Sequence, residues 1–161
     1  MSRLPIHSPG ADTIGLALTL VRQAQPRCGT VRVVAIDGPS GSGKTTLAAT
    51  LSQSLDAPTV HMDDLFPGWD GLAAAPSLLT TQVLRPLSRG EPAAYRRWDW
   101  IASAWGEVLP VPTTSVLVVE GCGAITPASA ALSGLTVWVD LDASERRRRA
   151  IARDGDSFAT H

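Results

Sequence analysis

The sequence predicts a three-layer α/β domain with a parallel β-sheet at its centre. Short apolar runs alternate with segments of helical periodicity along the chain, which is typical of βαβ units. The run Val116-Leu117-Val118-Val119 is apolar without a break, as a strand covered on both faces must be. A glycine-rich loop stands between the first apolar run and a helical segment, at the sheet edge where such folds bind ligands.

Length and composition are those of an ordinary globular domain. The chain has 161 residues, of which 44% are hydrophobic and 18% charged, and its net charge of −1 gives no general attraction to nucleic acid or membranes. No apolar run approaches the length of a membrane span and no signal peptide is recognisable, so we expect a cytoplasmic protein without nucleic-acid or membrane partners. Cys28 and Cys122 lack metal-ligand spacing, and we expect reduced thiols. The oligomeric state is not predicted.

The N-terminal part is predicted to form a tail followed by one helix. Two prolines and a glycine interrupt residues 1–10, which we expect to be a loosely held tail. A helix begins at Asp12, carries Ile14, Leu18 and Val21 along one stripe, and ends before Pro26. We therefore assign residues 1–29 to a tail and a helix that packs on the core, and residues 30–161 to the main domain.

Four strands are predicted in the main domain, at residues 31–36, 59–62, 115–119 and 135–139. A helix over residues 44–55 connects the first two strands, and Ala57-Pro58 ends it. Residues 77–88 are also predicted to be helical, as are residues from about Ala143 to Arg153. Right-handed crossovers between parallel strands then place helices on both faces of the sheet.

The loop after the first strand reads Gly38-Pro39-Ser40-Gly41-Ser42-Gly43-Lys44-Thr45-Thr46. The pattern of glycine, four residues and Gly-Lys-Ser/Thr wraps a polyphosphate with backbone N–H groups, and glycine permits both the positive φ angles and the close approach. Lys44 is predicted to contact the β- and γ-phosphates, Thr45 to bind the bridging Mg²⁺, and the helix N-terminus to attract the anion. The loop therefore predicts a nucleoside triphosphate site; the alternative is a solvated Gly/Ser-rich loop.

Carboxylates follow the second and third strands at the same sheet edge as this loop. Of Asp63 and Asp64, we expect at least one to accept the proton of an attacking hydroxyl, and the other to cap a turn. Glu120 is predicted to hold a water of Mg²⁺, with a surface cap as the alternative. Gly121 indicates a close backbone approach. His61 lies within the strand and is interpreted as a packing residue.

Two other segments combine charge with chemistry. Arg146, Arg147, Arg148 and Arg149 lie on the predicted last helix, where Arg149 and Arg153 share a face and suit phosphate oxygens; the alternative is a solvated or RNA-contacting patch. The segment Tyr95-Arg96-Arg97-Trp98-Asp99-Trp100 mixes flat rings with both charges. It suits stacking on a base or sugar, and it equally suits an aromatic helix that faces the core.

Residues 31–156 resemble the P-loop nucleoside and nucleotide kinases, most closely the uridine kinase-like branch. The glycine loop with Asp37 is also similar to that of cytidylate kinases. His61-Met62-Asp63-Asp64-Leu65-Phe66 resembles the segment after strand two, with Leu65 where an aromatic residue is usual. Trp98-Asp99-Trp100 resembles the aromatic-Asp-aromatic triplet of the acceptor segment, and Glu120-Gly121 the Glu-Gly after strand three. Residues 149–154 look like the arginine-rich lid.

The resemblance implies a P-loop NTPase fold with strand order 2-3-1-4 and a lid at about residues 143–156. It implies ATP and Mg²⁺ as cofactors, and ATP-dependent phosphoryl transfer to a small hydroxyl acceptor, preferentially a nucleoside. Lys44, Asp63, Arg149 and Arg153 would be catalytic, Thr45 and Glu120 would serve the metal, and the acceptor would contact Asp64, Tyr95, Arg96, Arg97, Trp98 and Asp99. Kinases of this type continue into a fifth strand after the lid, which we expect to be missing.

Two other functions fit the same residues. One is a kinase of a nucleoside monophosphate or a sugar acid, in which Arg96 and Arg97 would bind the acceptor's charge. The other is a nucleotide-binding module that regulates without catalysis. A GTPase is disfavoured, because the chain contains a single lysine, Lys44, and lacks the Asn-Lys-x-Asp motif that reads guanine.

Overall fold

The structure, a computed structural model, describes residues 2–6, 11–144 and 148. The strands in chain order are β1 (Ser2–Ile6), β2 (Arg32–Asp37), β3 (Thr59–His61), β4 (Ala94–Asp99), β5 (Ala104–Pro110), β6 (Val116–Glu120) and β7 (Leu135–Val139). The α-helices are α1 (Ala11–Gln23), α2 (Lys44–Leu55), α3 (Ala75–Leu78), α4 (Arg85–Ser88) and α5 (Pro127–Leu132). Short 3₁₀ helices cover Met62–Leu65 and Trp69–Ala73, and a π-helical stretch covers Leu79–Leu84.

The central sheet has five parallel strands in the order β1-β7-β2-β6-β3. The four predicted strands are all present, and their order matches the predicted 2-3-1-4 because β3, β6, β2 and β7 occupy those places. The fifth strand that we expected to be missing is the one after the lid, and that part of the chain lies outside the described residues. The N-terminal segment Ser2–Ile6 instead supplies a fifth strand of the sheet, so its assignment to a tail is wrong. This segment pairs with β7 from Ser2↔Leu135 to Ile6↔Val139. Pro5 is compatible with a strand here because β1 is an edge strand.

Two apolar clusters cover the two faces of the sheet, because alternate strand residues point to opposite sides. In β6, Val116 and Val118 face one cluster, whereas Leu117 and Val119 face the other. The first cluster is completed by α1 and α2, through side chains such as Val21 of α1. The second is completed by the helical segment 75–88 and the β4–β5 hairpin, with Leu79, Val83, Leu84 and Tyr95. The predicted three-layer architecture is therefore present.

The helical segment 75–88 changes its hydrogen-bond pattern in the middle. The N–H of Arg85 donates to the carbonyl of Thr80, five residues earlier, which defines the π-helical stretch. Pro86 follows directly and has no N–H to continue an α-helical pattern. The predicted helix over residues 77–88 is thus present, with its irregularity located next to the proline.

Residues 94–110 form an antiparallel hairpin from β4 and β5. Trp98 and Trp105 pack edge to face across it, with ring centroids 5.2 Å apart. One carboxylate oxygen of Asp99 accepts hydrogen bonds from the N–H groups of Ile101 and Ala102, which shapes the turn. The alternative of a core-facing aromatic helix in this segment is therefore wrong.

Across the described residues, no helix combines the length and the apolar character that crossing a membrane requires.

Candidate functional site

The loops that follow β2, β3 and β6 meet at the carboxyl edge of the sheet, where parallel folds bind their ligands. They enclose a cavity of about 400 Å³. Its lining combines the glycine loop and the start of α2 with groups that follow the two neighbouring strands: Ser40, Gly41, Gly43, Lys44, Thr45, Thr46, Asp63, Glu120, Gly121 and Cys122. The glycine loop and the two carboxylates predicted from separate stretches of sequence therefore share one cavity.

The conformation of the glycine loop depends on glycine at specific positions. Gly38 has φ of 148°, and a Cβ there would lie 2.0 Å from the carbonyl oxygen of Val139. Gly43 adopts a left-handed conformation with φ of 96° and precedes α2 without a side-chain cap. The first N–H groups of α2 consequently lack a capping side chain, and a helix N-terminus of this kind attracts an anion.

Lys44 provides the positive charge of the cavity. Its side chain is buried, and its Nζ donates a hydrogen bond to the carbonyl oxygen of Pro39 at 2.9 Å. Among the described residues that line the cavity, Lys44 is the one with a cationic side chain. The ammonium group and the N-terminus of α2 thus form one positive wall.

Asp37, at the end of β2, ties the glycine loop to the loop after β6. Its buried carboxylate accepts hydrogen bonds from the N–H groups of Gly38 at 2.6 Å, Gly123 at 3.1 Å and Ile125 at 2.9 Å. The Cys122 thiol donates to the carbonyl of Gly38 at 3.3 Å. Asp37 was not predicted as a site residue. A carboxylate at the end of a buried strand, directly before a glycine loop, is the signal that could have identified it.

Glu120 lies at the end of β6, where its side chain is only 6% exposed. Both of its carboxylate oxygens are 3.4 Å from the Thr45 hydroxyl. Its Oε1 is 2.7 Å from Nδ1 of His61, the residue paired with Glu120 across β3 and β6. This hydrogen bond raises the pKa of His61 above its usual value, with added attraction from Asp64 and Asp63. The interpretation of His61 as a packing residue is therefore wrong.

The adjacent carboxylates Asp63 and Asp64 have different surroundings. Both lie in the 3₁₀ helix Met62–Leu65, which is anchored by the buried side chains of Met62 and Leu65. Asp63 lines the cavity, whereas Oδ2 of Asp64 accepts a hydrogen bond from the Tyr95 hydroxyl at 3.4 Å. Burial raises the pKa of Tyr95 to about 12, and the Asp64 charge adds to the effect. The 3₁₀ geometry thus directs one acid to the cavity and the other to the hairpin.

The predicted acceptor segment is occupied mainly with the hairpin itself. Arg96 donates from Nε to the carbonyl of Gly106 at 3.2 Å, and Arg97 forms an ion pair with Glu107 at 3.0 Å. Trp98 packs on Trp105 and Asp99 shapes the turn. Tyr95, Arg96, Arg97, Trp98 and Asp99 are not among the described residues that line the cavity, and Asp64 is not either.

Trp100, the last residue of the predicted acceptor segment, contacts Asp63, and Trp69, which was not predicted as a site residue, packs on Trp100. The Trp100 indole Nε1 donates to the backbone carbonyl of Asp63 at 3.0 Å. Trp69 packs edge to face against Trp100, with ring centroids 5.3 Å apart, and the two residues are 70% and 40% exposed, respectively. The turn-rich sequence around Trp69 gave no periodic pattern from which this contact could be predicted.

Two remaining expectations concern Gly121 and the lid. Gly121 has φ of 135°, and a Cβ there would lie 2.6 Å from the Cβ of Met62, so the predicted close backbone approach is made to Met62. Arg149 and Arg153, with most of the predicted lid over residues 143–156, lie outside the described residues. Their catalytic role stays a prediction.

The residues of the cavity fit a nucleoside triphosphate and Mg²⁺. The glycine loop lines the cavity with backbone at Gly41 and Gly43, whose positive φ angles of 76° and 96° favour glycine, as in a backbone phosphate cradle. The loop also contains the Ser42 hydroxyl, a buried polar atom without a hydrogen-bond partner within the described residues. Among these residues no group of three or more His, Cys, Asp or Glu could hold a metal. A hydroxyl and one carboxylate nevertheless suit Mg²⁺, which keeps several waters and binds few protein ligands.

Two solved structures share this architecture. The first, described as a possible uridine kinase from Bacillus stearothermophilus, has a TM-score of 0.66 and 21% identity, covering 91% of this chain and 89% of the other. The second, provisionally assigned as a fructose transport system kinase from Silicibacter sp. TM1040, has a TM-score of 0.63 and 21% identity, covering 92% and 87%. No family model and no curated protein matches the chain. The chain therefore has a P-loop kinase-like fold.

Proposed function

We propose that this chain is an ATP-dependent phosphotransferase that acts on the hydroxyl of a small acceptor, preferentially a nucleoside. One observation carries the proposal. A single cavity is lined by two sets of groups: Lys44 with the N-terminus of α2, and the carboxylates of Asp63 and Glu120. A phosphate chain is attracted to the first set of groups, and phosphoryl transfer requires acidic groups like the second set beside it.

In this proposal the donor nucleotide is held by the glycine loop. Backbone N–H groups and the Lys44 ammonium bind the phosphate oxygens, and the buried Asp37 carboxylate keeps the start of the loop in place. Thr45 and Glu120 would hold Mg²⁺, Thr45 directly and Glu120 through a water. When bound, Mg²⁺ neutralises charge that develops between the β- and γ-phosphates.

Asp63 is the proposed general base. Its carboxylate accepts the proton of the acceptor hydroxyl while that oxygen forms a bond to the γ-phosphorus; the bond from phosphorus to the β,γ-bridging oxygen breaks and ADP leaves. Asp63 suits this role because it lines the cavity while its backbone carbonyl is bonded to Trp100. Asp64 suits it less because it is not among the described residues that line the cavity.

A nucleoside is preferred because flat aromatic groups lie beside the proposed base. Trp100 is hydrogen-bonded to the backbone of Asp63, Trp69 packs on Trp100, and both residues are exposed; a nucleobase can stack on rings of this kind. A monophosphate acceptor has less support, since Arg96 and Arg97 are bonded within the hairpin. A sugar acceptor remains the second candidate, favoured by the structural likeness to a protein provisionally assigned as a fructose transport system kinase.

The test is a scan of nucleosides, nucleoside monophosphates, sugars and sugar acids for acceptor-dependent release of ADP. We expect release to be stimulated by a nucleoside, and phosphate transfer to be detectable on that nucleoside by mass spectrometry. If a sugar or a monophosphate stimulates ADP release and nucleosides do not, the assignment of a nucleoside as the acceptor is wrong. Intact ATP binding without stimulation by any acceptor would favour a non-catalytic nucleotide-binding module.

Variants of the cavity test the assigned roles. Asp63→Asn should lower transfer by about 10²–10⁴-fold, the usual contribution of a general base, and leave ATP affinity nearly unchanged. Asp64→Asn is the matched control and should retain most of the activity. Lys44→Ala should weaken both nucleotide binding and transfer, and unchanged values for both would refute the phosphate site.

A further inference from the structure

We propose that His61 is a positioning residue, which fixes the carboxylate of Glu120 in the orientation that serves the metal beside Thr45. The inference rests on the proposed function, in which Thr45 and Glu120 hold Mg²⁺. It adds a residue that neither the glycine-loop pattern nor the carboxylate motifs identify.

Of the contacts that the Glu120 carboxylate makes with His61 and Thr45, the one with His61 is the shorter. The Nδ1–Oε1 distance is 2.7 Å, whereas each carboxylate oxygen lies 3.4 Å from the Thr45 hydroxyl. Glutamate has several rotatable bonds, so the position of its carboxylate at the end of β6 depends on its hydrogen-bond partners. Because hydrogen bonds weaken with distance, His61 restrains the carboxylate more strongly than Thr45 does.

The backbone gives His61 this position. His61 and Glu120 are the last paired residues of β3 and β6, so their side chains leave adjacent strands at the same sheet edge. The side chain of Glu120 is 6% exposed and that of His61 is 46% exposed. The histidine therefore covers a nearly buried carboxylate from the solvent side. The same carboxylate lies near the Thr45 hydroxyl and lines the cavity.

The role does not depend on the charge of the imidazole. A hydrogen on Nδ1 is sufficient for donation to Glu120, and both the neutral Nδ1–H tautomer and the imidazolium carry it. His61 is also not among the described residues that line the cavity, so it acts through Glu120 rather than on the phosphate. Partners of this kind, which orient a metal-serving group, change metal affinity by about 10–100-fold when they are removed.

The experiment compares His61→Leu, which removes the donor, with His61→Asn, whose side-chain amide can still donate. Free Mn²⁺ is measured by electron paramagnetic resonance in the presence of a non-hydrolysable ATP analogue, and analogue affinity in EDTA is measured separately. We expect His61→Leu to weaken Mn²⁺ binding by about 10–100-fold, with His61→Asn close to wild type. Metal-free nucleotide affinity should be unchanged in both. A merely structural histidine would not produce this metal-specific loss with rescue by asparagine.

Glu120→Gln and the double variant with His61→Leu separate the two levels of the proposal. If His61 acts through Glu120, the double variant binds Mn²⁺ as weakly as the worse single variant, without a further loss. If Glu120→Gln weakens Mn²⁺ binding and His61→Leu does not, the positioning role alone is overturned. If neither variant affects Mn²⁺ binding, the metal role of Glu120 and the positioning role both fail. His61→Ala provides the donor-free comparison if the leucine variant does not fold.

Discussion

The indole N–H of Trp100 donates to the backbone carbonyl of Asp63 at 3.0 Å, and this hydrogen bond joins the β4–β5 hairpin to the 3₁₀ helix after β3. It fixes the backbone of the residue that lines the cavity with its carboxylate. Trp69 packs edge to face against the Trp100 ring, so aromatic packing also holds Trp100 in place. The position of the hairpin is thereby coupled to that of Asp63.

Trp100→Phe should lower acceptor kcat/KM while leaving ATP affinity unchanged. The substitution keeps an aromatic ring and removes the N–H, so it costs about 0.5–1.5 kcal/mol, or about 2–12-fold in kcat/KM if the bond matters in the transition state. Steady-state kinetics with the best acceptor measure the effect. Ile101→Ala is the matched control because Ile101 lies in the same turn and is 100% exposed. Equal values for Trp100→Phe and wild type would show that this tether does not position Asp63 for transfer.

The parts of the fold that could be predicted are those specified by local patterns. Helix α2 has its predicted bounds because a glycine loop precedes it and Ala57-Pro58 follows. Strand β7 was likewise predicted at its observed bounds. Strand β1 could not be predicted, because it depends on pairing with β7, more than a hundred residues away, and Pro5 looks like a strand breaker.

In the site, likewise, the residues placed by local patterns were predictable and the long-range contacts between them were not. Strand ends place Asp63 and Glu120 at the edge that carries the glycine loop, and the cavity contains all three. The contact between His61 and Glu120 is separated by 59 positions, and that between Trp100 and Asp63 by 37. Such contacts follow from strand order and hairpin position, which no local pattern specifies.

Gly38→Ala should destabilise the protein by at least about 2 kcal/mol, because the added methyl group meets backbone and the φ angle is unfavourable for alanine. The Cβ would lie 2.0 Å from the carbonyl oxygen of Val139, a residue of β7 that pairs with Ile6 in the sheet. Chemical denaturation measures the free energy of unfolding. Nucleotide affinity should fall as well, since the loop must move to relieve the clash.

Gly15→Ala is the control for that substitution and should have the opposite sign. Gly15 lies within α1, and a Cβ there would meet no atom within 4 Å. Alanine is favoured over glycine in a helix interior by about 0.5–1 kcal/mol, so the free energy of unfolding should rise. A loss of stability at Gly15, or none at Gly38, would contradict the packing described for these two positions.

The pKa of Tyr95 can be measured directly because it is the only tyrosine in the chain. Burial raises this pKa from 10.0 to about 12, so absorbance at 295 nm should change little up to pH 11 in the native protein. The same titration in concentrated urea should have its midpoint near the usual value. Because the native state keeps the proton that the unfolded state releases, stability should decrease as the pH rises from about 10 to about 12. A native midpoint near that of the denatured protein would mean that the hydroxyl is accessible to water.

The two cysteines should differ in reactivity, and one of them should report nucleotide binding. Cys122 lines the cavity, whereas Cys28 is fully buried, donates to the carbonyl of Leu84, and has a pKa raised by burial to about 11. Since the thiolate is the reactive form, a disulfide reagent such as 5,5′-dithiobis(2-nitrobenzoate) should modify one thiol in the native protein and both in denaturant. Cys122→Ser should remove the native reaction, and Cys28→Ser should retain it.

Nucleotide should then slow the modification of Cys122, because Cys122 lines the same cavity as the glycine loop and its thiol donates a hydrogen bond to the carbonyl of Gly38. At a concentration about ten times Kd, the rate should fall about tenfold if the bound state is fully protected. Lys44→Ala should abolish protection at the same concentration while leaving the rate without nucleotide similar. Because this readout needs no acceptor, protection in wild type together with failure of every acceptor would support nucleotide binding and argue against transfer. A rate unaffected by saturating nucleotide would place the nucleotide away from Cys122 and contradict the assignment of this cavity.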